Sequence, residues 1–116
     1  MNYPVDIWLR GTDYATTREI ADVSEPAAWT DADVELVLKQ MLRVMDREKN
    51  PEAGERPVFL RGFSWIVNAY EGGGVVIAIE MQTGAAVAGP FNIDKRELES
   101  MLSRVIAHGG GVTGIQ

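Results

Sequence analysis

The sequence predicts an α+β domain: a mostly antiparallel sheet of about five strands with two helices on one face. Three observations predict it. Residues 58–108 read as three extended runs and then a helix, with glycine-bearing turns between them. Two segments carry apolar residues at helical spacing, each behind its own capping residue. A shorter pair of extended runs leads the chain. The expected order is hairpin, helix, three-stranded meander, helix.

Taken in turn, Val5, Ile7 and Leu9 alternate with Asp6, Trp8 and Arg10, the period of a strand. Gly11-Thr12-Asp13 breaks that run, and Thr17 to Val23 forms a weaker second one. Ser24-Glu25-Pro26 closes the hairpin. Thr30 is a good N-cap with Asp33 three residues on, near the capping-box pattern. Trp29 and Val34 occupy the staple positions around it. Val34, Val37, Leu38, Met41, Leu42 and Met45 form one apolar stripe. Acids at Asp31, Asp33 and Glu35 and bases at Lys39, Arg43, Arg47 and Lys49 match the helix dipole. Asn50-Pro51 ends the helix, because the residue before proline avoids helical angles. Pro51 to Pro57 reads as a polar surface loop.

Phe63–Tyr70, Val75–Met81 and Ala85–Ile93 are the three runs of the meander, separated by Gly72-Gly73-Gly74 and Gln82-Thr83-Gly84. Asp94 then caps a second helix to His108, with Glu97 three residues on and Ile93 and Leu98 as its staple. Leu98, Met101, Leu102, Val105 and Ile106 form its stripe. Residues 1–108 are thus expected to be one domain and residues 109–116 a glycine-rich flexible tail.

Composition bounds the function. The 116-residue chain has 11 basic and 17 acidic side chains, a net charge of −6. Residues 1–57 hold 7 bases and 12 acids, and residues 58–116 hold 4 and 5. Nucleic acid and anionic membrane need clustered bases, so neither is an expected partner. A basic protein is electrostatically easier to bind. The absence of cysteine removes disulfides and thiolate metal sites. No apolar run reaches the ~18 residues of a membrane span, and the first residues lack a signal peptide's basic start and apolar block. The expected location is the cytoplasm. The order helix, three strands, helix is similar to that of double-stranded-RNA-binding domains. The acidic chain lacks their basic helix N-terminus, so RNA binding does not follow.

Motifs for chemistry give way to simpler readings. Gly109-Gly110-Gly111-Val112-Thr113-Gly114 has the letters of a dinucleotide loop but follows a helix instead of preceding one. Gly72-Gly73-Gly74 lies between strands and reads as a hairpin turn. Asp31, Asp33 and Glu35 spread around a helix axis, as do Asp94, Glu97 and Glu99, so neither set converges on an ion. His108 is the sole histidine, placed where a cation suits a helix C-terminus. No catalytic, cofactor-binding or metal-binding residue is assigned. One candidate ligand pocket combines Arg61, Trp65 and Tyr70, since Gly62 suggests a bulge that re-aims side chains.

The alternation of the meander assigns two faces. Phe63, Trp65, Val67, Ala69, Val75, Ile77, Ile79, Met81, Val87 and Phe91 are expected under the helices. The opposite face receives Ser64, Ile66, Asn68, Tyr70, Val76, Ala78, Glu80, Ala86 and Ala88. A sheet face open to water is normally polar. The set Ile66, Asn68, Tyr70, Val76, Ala78 and Glu80 is too apolar for that and too polar for a core. It reads as an interface for a second copy, for the N-terminal segment, or for another protein. A slip of alternation at Gly62 or Gly89 would reverse assignments beyond it. The function read from the sequence is a non-enzymatic interaction module acting as a homodimer, with an acidic inhibitor or immunity-type protein as one form. The alternative is a small-ligand binder or minor enzyme using the Arg61 pocket.

Overall fold

A computed structural model describes residues 1–54 and 56–109. The first hairpin is β1 (Tyr3–Leu9) and β2 (Thr16–Ile20). A single 3-10 turn at Pro26–Ala28 leads to α1 (Asp31–Lys49). The meander is β3 (Phe63–Ala69), β4 (Val75–Met81) and β5 (Gly84–Phe91), and α2 (Lys95–Gly109) follows. All but Gly109 of the expected tail lies outside the described residues.

The five strands form one sheet in the order β2-β1-β5-β4-β3, every neighbour antiparallel. The first hairpin therefore joins the meander edge to edge through β1 and β5. It widens the sheet, and no described element covers the far face.

The helices form where their ends are satisfied. Thr30 and Asp33 make a full capping box, each side chain meeting the other's backbone N–H. The Asp94 carboxylate accepts from the Glu97 N–H at 3.0 Å. Trp29 is buried and its indole N–H donates to the Ser24 carbonyl at 2.9 Å. A bidentate pair from Arg104 to Asp31, 2.9 Å on both arms, ties the two helices together. Both stripes turn inward as their spacing requires, with Ile106 only partly buried, and Val44 joins that of α1.

Beneath them lie Val5, Ile7, Ile20, Val67, Val75, Ile77, Ile79, Ala86, Ala88 and Phe91. Phe91 is wholly buried, with ring centroids 4.7 Å from Tyr3 and 4.9 Å from Trp29. This corrects the expected faces of β5. Ala86 and Ala88 point to the core, and Val87 lies on the opposite face. The cause is a slip at Gly89. Ile77 pairs with Ala88 while Val75 pairs with Phe91, so three residues on β5 span what two span on β4. Gly89 absorbs the extra residue at φ +124°, a conformation that side chains rarely adopt. Counting back from Phe91 in twos therefore inverts the rest of the strand.

Candidate functional site: the open face of the sheet

Pairing registers assemble the open face into rows. One row runs Thr17, Asp6, Val87, Ala78, Ile66 from edge to edge. A second runs Trp8, Ala85, Glu80, Ser64. Glu19 beside Pro4 and Asn68 beside Val76 begin a third at the two edges. The expected interface residues Ile66, Asn68, Val76, Ala78 and Glu80 thus share one face. Tyr70 follows β3, and its N–H donates to the Gly74 carbonyl at 2.9 Å to close the β3–β4 hairpin.

Ile66, Tyr70 and Trp8 are 53%, 50% and 40% exposed, high values for side chains of this size. The outward strand positions carry three acids, Asp6, Glu19 and Glu80, and no lysine or arginine. Asp6 accepts from the Thr17 hydroxyl at 2.7 Å. The nearest base along β1 is Arg10, just past its end, which donates to the Gln82 carbonyl at 2.6 Å. The face therefore has an apolar middle with negative charge around it.

Trp8, Asp6 and Val87 belong to this face and are absent from the interface expected of the sequence. The alternation of β1 already turns Trp8 away from Val5 and Ile7. What it cannot supply is the neighbour: Trp8 joins the face only because β1 pairs with β5.

The expected pocket residues do not come together. Arg61 precedes β3 and Tyr70 follows it, so a strand of seven residues separates them, roughly 23 Å at the usual rise. Trp65 alternates with Phe63 and Val67 toward the helix side and packs against the core. Arg61 instead lines a cavity of about 400 Å³ with Leu42, Met45, Phe59, Met81 and Lys49. Its guanidinium lies 5.2 Å from the Phe59 ring centroid, within cation–π range. Neither Trp65 nor Tyr70 lines that cavity. On its rim Arg56 clamps Asp46, and the hydrogen bond holds the Asp46 carboxyl below its usual pKa.

The helix-start acids Asp31 and Asp33 have structural partners. Asp31 is held by Arg104, and its pKa is lowered first by that hydrogen bond. Asp33 is lowered first by the Thr30 backbone N–H. His108 sits exposed in the last turn of α2. No described helix is long and apolar enough to cross a membrane. Comparison with protein-family models, with curated proteins and with solved structures found no match.

Proposed function

We propose that this chain is a non-enzymatic protein-interaction module that acts as a homodimer and docks a basic partner on the open face of its sheet. One observation carries the docking of a basic partner: a face with a contiguous apolar middle, exposed Trp8 and Ile66, and acids without bases at its outward positions. Tryptophan is a frequent anchor of interfaces. Unopposed carboxylates favour cationic partners and disfavour face-to-face self-pairing. An acidic inhibitor or immunity-type protein in the cytoplasm is one role that fits.

The test is affinity capture with the full chain in rising salt, alongside Trp8→Ala and Glu80→Lys variants. A true partner is retained by the native chain, is lost by both variants, and is released by salt as charge pairing is screened. Retention indifferent to both substitutions and to salt would reject the face.

A second reading, a small-ligand binder or minor enzyme, draws on the cavity beside Arg61. Its apolar floor and cationic rim suit an amphipathic anion. Ligands that bind only the folded state raise the melting temperature. No shift across medium-chain carboxylates and phosphate esters at saturating concentration would reject this reading.

A further inference from the structure

The two edges of the sheet differ in how they are protected. Edge strands expose unpaired backbone groups and template further pairing unless guarded by charge, proline, shortness or a cover. β2 is guarded: it has five residues, carries Arg18 and Glu19, and is tied to α1 by an Arg18–Glu48 pair at 2.8 Å. β3 has seven residues, Phe63-Ser64-Trp65-Ile66-Val67-Asn68-Ala69, with no charge and no proline. Among the described residues its one strand neighbour is β4. Among the described residues, no turn or loop backbone group bonds to it.

The direction of the free groups follows from the hairpin. The Tyr70 N–H bonds to the Gly74 carbonyl, so Tyr70 is in a hydrogen-bonded pair with β4's side. Antiparallel ladders alternate such pairs. Ser64, Ile66 and Asn68 therefore spend their backbone groups on β4. Phe63, Trp65, Val67 and Ala69 present theirs outward.

From this we infer that two copies of the chain associate through β3, antiparallel about a two-fold axis at Ile66, to make one continuous sheet. The inference rests on the homodimer reading above and specifies its geometry. The strand is complementary to itself in this register. Trp65 meets Val67 and Phe63 meets Ala69 of the second copy, large beside small on the helix side. On the open side Ser64 meets Asn68 and Ile66 meets Ile66. All four outward-pointing residues of each strand find hydrogen-bonding partners, about eight bonds in all. No like charges meet, and β3 lies in the half of the chain with 5 acids against 4 bases instead of 12 against 7.

Edge pairing would also enlarge the open face. Five strands of about seven residues give a face of roughly 24 by 23 Å, or about 550 Å². A standard interface takes about 800 Å² per partner. Joining two sheets doubles the face to about 1,100 Å². The central row then reads Asp6, Val87, Ala78, Ile66 and, past the axis, the same residues reversed. An apolar strip thus has a carboxylate at each end, a surface for a partner with an apolar centre and basic flanks.

Light scattering on the full chain at micromolar concentration should give twice the 12.7 kDa of one chain. Ile66→Lys places two ammonium groups at the axis, on a side chain already exposed, and should return the mass to one chain with circular dichroism unchanged. The expected weakening is roughly 30-fold or more, that of a central anchor. Val87→Lys, on the same face but away from the edge, should leave the dimer intact. The chain has no cysteine, so Ile66→Cys reports directly. A non-hydrogen-bonded pair sets Cα atoms about 4.5 Å apart, within disulfide range, and mild oxidation should give a covalent dimer. A dimer that survives Ile66→Lys and breaks with Val87→Lys overturns the edge pairing while leaving the homodimer reading standing. A single-chain mass for the native protein overturns both and leaves partner docking to its own test.

Discussion

The two faces of this sheet are built from the same strands and share almost no chemistry. Toward the helices, Ile7, Ile77, Ile79 and Phe91 are fully buried and meet the stripes of α1 and α2. Away from them, alternate residues of those strands give Asp6, Trp8, Ala78, Glu80 and Val87. The first set is what a helix-covered sheet needs to fold. The second stays partly open to solvent, with Trp8 40% exposed and Val87 and Ala78 only half-buried. The difference separates residues that hold the protein together from residues available to something else.

Core truncation should break the comparison hardest. Phe91→Ala removes a wholly buried ring that touches Tyr3 and Trp29, and should cost about 3–5 kcal/mol, read from urea unfolding. A loss under ~1 kcal/mol would mean that the helix-side face is not the core.

A matched pair tests the register of β5. Ala86 is fully buried, and Ala85 lies on the open side in the row of Trp8 and Glu80. Ala86→Leu should overpack the core at about 1–3 kcal/mol, whereas Ala85→Leu should stay within about 0.5 kcal/mol. The reverse ranking would restore the face assignment that simple alternation suggests and deny the slip at Gly89.

Acid should act through the helix layer. Asp31, Asp33 and Asp46 all have lowered folded-state pKa values, caused first by hydrogen bonds from Arg104, Thr30 and Arg56. Their stabilisation is fully present above the unfolded carboxylate pKa of ~3.9 and is lost as pH falls through the lowered folded values. Melting temperatures between pH 6 and pH 2 should therefore drop more steeply for the native chain than for Asp33→Asn. Parallel curves would remove Asp33 from the account.

A small stability effect belongs to the open face itself. Trp8→Ser and Ile66→Ser should each cost about 1 kcal/mol, the span of strand propensity, well below Phe91→Ala, while altering association. A large destabilisation from either would assign that side chain to the fold.

Much of the architecture was legible in the chain because it is written in local periods. Apolar spacing and caps marked α1 and α2 nearly to the residue, since a helix is specified by neighbours three and four positions apart. The β4 run Val75–Met81 was legible for the same reason at period two. The candidate interface was half legible. Ile66, Asn68, Val76, Ala78 and Glu80 share a hairpin, so alternation alone aligned them. The Arg61, Trp65 and Tyr70 pocket was not, because closeness in sequence along a strand means distance in space.

By itself, the sequence determined the elements, their caps, the helix stripes and the apolar character of the β3–β4 outer face. These depend on side-chain chemistry at short separation. Only the tertiary structure decided that β1 lies beside β5, which brings Trp8 and Asp6 onto the open face. It also decided that Gly89 slips the register and turns Val87 outward, and that β3 is an edge strand without a cover among the described residues. Those outcomes depend on which distant backbone groups pair, and no local period encodes that choice.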